Sequence, residues 1–199
     1  WVMFAWNLPA TLNVAGKEYE IREDFRAALD VITAFGDESL SESEKVQAAM
    51  EIMYFPVLPP EKHIQESFEQ ILWFLDCGIQ QEDGPKPRTM DWEKDSSIIF
   101  PAINKIAGFE VRCNKVIHWW TFYGWFMEIS DGLFSQVLAI RQKLTKGKKL
   151  EKWEQEFLRN NRNLCDLKGS SDHNQEEYDF FADLLKRGEI DAGRRDCSN

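Results

Sequence analysis

Three histidines and four cysteines in 199 residues are few, and they are scattered. Cys77, Cys113, Cys165 and Cys197 stand 36, 52 and 32 residues apart, without a Cys-x-x-Cys pair, and His63, His118 and His173 lie at no ligand spacing from them. A sequence-local zinc or thiol-redox motif is therefore excluded. An even cysteine number in a chain this long does not imply disulfides, so a reducing compartment is expected. Gly-x-Ser-x-Gly, a Walker-type loop and Gly-x-Gly-x-x-Gly are all missing. Neither a catalytic residue nor a cofactor is expected, and an enzyme would have to assemble its site from remote residues.

Long hydrophobic runs are missing too. The first sixteen residues carry no charge, but Asn7, Pro9, Thr11 and Asn13 interrupt them and no basic stretch precedes them, which does not read as a secretory signal. A start at Trp1 suggests numbering from inside the natural gene or after a removed tag. The next longest uncharged run, Val116 to Met127, has 12 residues, whereas a membrane helix needs about 20. No membrane association is expected, and the expected location is the cytoplasm.

What remains is a chain with 43% apolar and 29% charged residues, long enough for one domain with a real core. Its net charge of −10 repels phosphate backbones and makes nucleic acid an unlikely partner. The charge is uneven, because Arg141 to Lys168 holds nine basic residues against four acidic ones. Interleaved with apolar residues at helical spacing, these cations read first as a solvated helix surface and second as a nucleic-acid module. No fixed-period repeat is visible.

Two short alternating segments, Thr11 to Val14 and Lys17 to Ile21, flank Ala15-Gly16 and predict a β-hairpin that presses Leu12, Val14, Tyr19 and Ile21 onto helices. The period then becomes helical. Asp24 is placed to cap a helix carrying Phe25, Leu29, Ile32 and Phe35 and ended by Gly36; Ser41 with Glu44 forms a capping-box signature ahead of Met50 and Met53. A third helix runs from about Glu61 to Cys77, with Gly78 as its stop. Helical phase puts Trp73 on its polar face with Glu66 and Glu69.

Beyond a loop at Gly84-Pro85-Lys86-Pro87, Asp91 is expected to cap a helix that Pro101 kinks or restarts and Gly108 ends. Val116 to Ile129 reads as a largely buried helix whose polar side carries His118, Thr121, Glu128 and Trp125. Leu133, Val137, Ile140 and Leu144, followed past Lys146-Gly147-Lys148-Lys149 by Leu150, Trp153, Phe157 and Leu164, predict a helical hairpin. A polar spacer from Lys168 to Asn174, a short helix between Glu176 and Gly188, and a disordered tail complete the chain. The expected fold is mainly α, with six to eight helices in one domain over 1–168, a small N-terminal hairpin, and an appendage over 169–199.

Eight Trp and fourteen Phe are the compositional excess. Most belong to apolar stripes, and Trp119, Trp120, Phe122 and Phe126 read as core. Trp73 and Trp125, with His118 beside the latter, lie on polar faces. Tryptophan there is typical of interface anchors, which bury much area at low entropic cost; partial cover by a neighbouring element is the alternative.

In order, these motifs are Gly16-Lys17-Glu18-Tyr19, Asp24-Phe25-Arg26, Leu72-Trp73-Phe74 before Cys77-Gly78, Ile117-His118-Trp119-Trp120 with Phe122, and Phe134 to Arg141. Over Leu8 to Leu167 the sequence resembles the bacteriophage gene-product-fifteen family, found in phages and prophages of Gram-positive bacteria. The resemblance implies a non-enzymatic protein of the tail module, encoded near the tape measure, whose role is like that of a tail assembly chaperone in the host cytoplasm. Its implied partner is the tape-measure protein or another tail protein, with self-association as a further expectation. A structural tail or neck component and a nucleic-acid-binding helical module are the competing readings. The resemblance brings no catalytic residue, and Trp119, Trp120 and Phe122 are its family-motif positions. Pro101 departs from it, interrupting a stretch expected to be a continuous helix.

Overall fold

The structure is a computed structural model that describes residues 6–79, 89–113 and 115–167. The Gly84 to Pro87 loop, the spacer after Lys168, the short helix at Glu176 to Gly188, the tail, His173 and Cys197 lie outside the described residues. Within them the chain forms a two-stranded hairpin and eight α-helices, the mainly α architecture expected from the sequence.

β1 (Thr11–Val14) and β2 (Lys17–Glu20) pair antiparallel, with Thr11 opposite Glu20 and Val14 opposite Lys17. Ala15 and Gly16 both have positive φ, 51° and 79°, the two-residue turn whose twist matches the strands. The alternation is real: Leu12, Val14, Tyr19 and Ile21 are buried. On the outer face Thr11 and Asn13 donate to the Glu18 carboxylate at 2.6 and 2.9 Å, which holds its pKa below the usual carboxylate value. β1 lies on the third helix, whose Glu66 accepts the Ala15 N–H at 2.8 Å.

α1 (Phe25–Phe35) begins at Asp24, whose carboxylate accepts the Arg26 amide at 3.0 Å, and ends at Gly36. α2 (Glu42–Met53) opens with the reciprocal Ser41/Glu44 capping box. A 3₁₀ turn, Glu61–His63, leads into α3 (Ile64–Leu75). α1 packs on α2, and α2 on α3.

The second half corrects several expectations. Asp91 caps a turn rather than a helix, accepting the amides of Glu93 and Lys94 at 2.9 and 2.8 Å. α4 (Ser96–Ala107) starts five residues later and runs through Pro101 without interruption. The proline deletes one helical bond, that to the Ser97 carbonyl in the first turn, so its cost is confined to that end. Gly108 stops the helix at φ 78°.

α5 is Trp119–Met127 only, and it is not largely buried. Val116, 72% exposed, precedes it, Met127 is 64% exposed, and just Trp119 and Phe122 of its residues are buried. The helix is covered by α1 on one side and α4 on another, which leaves part of its aromatic girdle half-exposed.

α6 (Gly132–Thr145) buries Phe134, Val137, Ile140 and Arg141, while Leu133 and Leu144 face solvent. The buried stripe is thus rotated from the leucine spacing, because α6 rests on α4. The expected hairpin partner divides at Asn161 into α7 (Lys152–Asn160) and α8 (Arg162–Cys165), and α6 packs on α8. Trp153, expected on the apolar stripe, is 50% exposed. The basic run is not wholly a solvated surface either, since Arg141 is 3% exposed and paired to Asp95.

Candidate partner-binding surface

The segment before α5 is pinned from both sides. The Ile117 amide donates to Asp24 Oδ2 at 2.9 Å, the Phe25 amide to the Ile117 carbonyl at 2.9 Å, and the Trp119 amide to the Glu23 carbonyl at 2.7 Å. Asp24 therefore starts α1 and holds α5 in place with one carboxylate. Arg26 extends the tie, donating to the carbonyl of Cys113 at 2.7 Å.

His118 is the N-cap of α5. Its Nδ1 accepts the Trp120 amide at 3.1 Å, and its Nε2 lies 3.0 Å from the Pro9 carbonyl oxygen. With Nδ1 accepting, hydrogen-bond logic assigns the proton to Nε2, which donates to Pro9. The next two residues close the end of α3. Trp119 Nε1–H donates to the Leu75 carbonyl at 2.9 Å and Trp120 Nε1–H to the Phe74 carbonyl at 2.8 Å. The last carbonyls of a helix have no partner within it, and the two indoles supply them. Trp119 is 1% exposed and lies against Phe122, which stacks on Phe25 with ring centres 4.1 Å apart.

Trp73 comes to this joint from α3. Half-buried, it meets Trp120 edge-on at 5.5 Å. Gly78 lets both rings approach: its φ is 72°, and a Cβ there would stand 3.2 Å from the Trp120 ring and 3.3 Å from that of Trp73. Next to it Cys77 also has positive φ, 55°, and burial with Asp76 nearby pushes its thiol up to about 12. The structure thus brings Trp73, His118 and Trp120 together.

Trp125 lies elsewhere. It is half-buried, edge-on to Phe109 at 5.8 Å, and Lys115 Nζ sits 5.6 Å from the centre of the Phe109 ring. Ile106, in the last turn of α4, and Phe109, just past Gly108, are both 38% exposed. Trp125 and Phe109, with Ile106 exposed nearby in the chain, offer apolar surface with a lysine beside it, the makeup of an interface core. His118, read from the sequence as a neighbour of Trp125, is spent on the α5 cap and Pro9.

Sequence reasoning missed two features. Trp92 packs against Trp119, Phe122 and Phe126 at 6.3, 6.1 and 4.7 Å; as a residue in a turn, it carried no periodic signal. Arg141 forms a bidentate pair with Asp95 at 2.6 and 2.8 Å and donates to the Thr89 and Leu164 carbonyls, clamping α6 to the start of α4 and to α8. Its signal was available, because Phe134, Val137 and Arg141 fall on one face of α6.

Among the described residues no three His, Cys, Asp or Glu side chains converge as a metal site, and no helix is long and apolar enough to cross a membrane. Glu110, bound by the Arg112 side chain and amide, is held down at about 2, and Glu154 is lowered chiefly by Lys143. Both carboxylates are consumed in local ties. Compared with known proteins, the chain matches the family model described as Bacteriophage Gp15 protein over residues 5–167. No curated protein and no solved structure matches it.

Proposed function

The chain belongs to the bacteriophage Gp15 protein family, a phage structural or assembly-related protein, and from that premise we propose that it is a non-enzymatic tail assembly chaperone that binds the tape-measure protein. The family match across 5–167 carries the phage assignment. The surface around Trp125 and Phe109 supports the finer reading. A tape-measure protein is a long helical client, and an amphipathic helix is recognised by laying its apolar stripe on exposed aromatic and methionine side chains. Ile106, Phe109 and Trp125 supply that chemistry, and Lys115 at the rim suits acidic positions beside the stripe. An acidic body keeps such a surface soluble before the client arrives.

The test is co-expression with the tape-measure protein of the same phage, purification through a tag on this chain, and measurement of the mass that elutes. Several copies of this chain on one client support the chaperone role. Elution alone, with the client expressed and soluble, overturns it. Retention in purified virions would instead make the protein a tail or neck component.

A further inference from the structure

Charge is segregated along this fold. Residues 6–79 carry fourteen acidic side chains against five basic ones, whereas residues 141–167 carry eight basic against four acidic. In the second group the acids are used locally: Glu154 takes Lys143 at 2.6 Å together with the Glu151 amide, and Glu151 takes the Trp153 indole N–H at 3.0 Å. Lys146, Lys148, Lys149, Lys152 and Arg162 are exposed, and none pairs with an acid among the described residues. Arg162 lines a depression of about 320 Å³ on α7 and α8, together with Gln155, Leu158 and Arg159. Trp153 stands half-exposed on the same helix. α2 and α3 are the converse: Glu44, Glu51 and Glu69 face solvent, α3 has no basic residue, and Lys45, the one on α2, is 1% exposed.

We infer that the α7–α8 arm of one copy docks on the α2–α3 face of a second copy. The attraction is between an arm whose cations are unpaired among the described residues and two helices that themselves present no exposed cation, with Trp153 as the apolar anchor such a contact needs. A polyanion is the poorer occupant, because the −10 body repels phosphate chains while another copy always brings the matching face. The two surfaces differ, so the contact is heterologous and propagates head to tail into a ring or an open chain. The inference stands on charge and exposure alone, independent of the client.

The experiment is sedimentation of the full chain at low salt and at 1 M salt, where the screening length is about 3 Å. Two variants accompany it, Lys149→Glu with Arg162→Glu on the arm and Glu51→Lys with Glu69→Lys on the face, each checked for cooperative thermal unfolding. The wild type should form species above the dimer at low salt and dissociate at high salt. Each variant alone should be monomeric, and mixing them should restore assembly, since the arm of one then matches the face of the other. A wild type that is monomeric at low salt, an assembly indifferent to both variants, or a mixture that stays monomeric overturns the inference. So does a monomer that binds a short DNA duplex through Lys149 and Arg162, which would assign the arm to nucleic acid.

Discussion

Among the described residues, nineteen of the thirty buried apolar side chains lie between Leu12 and Leu75, whereas four lie between Phe134 and Cys165. The first region is held mainly by area removed from water, and Lys45 is the one buried charge among its described residues. In the second the principal tie is ionic: Arg141, buried with Asp95, fastens α6 to α4 and α8, and Lys143 with Glu154 fastens α6 to α7. A hydrophobic core stabilises in proportion to what it buries, but a buried ion pair roughly offsets its own desolvation. The pair therefore sets where the arm sits more than how tightly the chain folds. α5 joins the two regions, its first turn bonded to α3 and its far end only half covered.

Substitutions can break that contrast. Trp119→Ala should cost about 3–5 kcal/mol, as for other buried aromatics, and it also strands the Leu75 carbonyl; urea denaturation measures it, and a loss below about 1 kcal/mol would remove the joint from the account. Arg141→Ala should cost about as much, 3–5 kcal/mol, by leaving Asp95 buried and unpaired. The sharper comparison is the double replacement Arg141→Met with Asp95→Leu, expected to cost less than the single because no charge is left buried, the remaining loss coming from the Thr89 and Leu164 carbonyls that Arg141 served. A double variant as damaged as the single would show that the clamp stabilises the fold outright.

A smaller effect is expected at the close approach of the two rings. Gly78→Ala should cost about 1–2 kcal/mol for the left-handed backbone, with some addition from the Trp120 and Trp73 contacts. A pH effect is expected at Cys77. Burial raises its folded pKa to about 12 from an ordinary value of about 8.5, so the neutral thiol favours the folded state. That contribution is complete below about 8.5 and is lost as pH rises toward 12. Tyr123, also raised by burial, acts in the same direction. Cys77→Ser should flatten the decline measured by thermal melts between pH 8 and 11 without abolishing it, and iodoacetamide at pH 8 should label Cys77 more slowly in the folded chain than in urea.

The hairpin, α1 and α2 were legible because each is written locally. Strict alternation around Ala15-Gly16, Asp24 ahead of an apolar period, and Ser41 with Glu44 each specify an element without knowledge of the rest. α5 was not legible in that way. A run with aromatics on nearly every side has no distinct face, and which side is buried was decided by α1 and α4, elements far away in sequence. The polar duties of the joint were hidden for the same reason: nothing near Trp119 and Trp120 announces the carbonyls of Phe74 and Leu75. Pro101 and Arg141 were misread because composition rules describe typical positions. One proline near a helix start removes a single bond, and one arginine on a buried face is tolerated when a carboxylate meets it.

The proposed division of α5 into a structural start and a partner-facing end is tested most directly by Trp125→Ser, followed in one sample for thermal unfolding and for retention of the co-expressed tape-measure protein. The account predicts a cooperative transition like that of the wild type together with loss of the client. Loss of the transition would make Trp125 part of the core, and a client still bound at wild-type level would remove this surface from recognition.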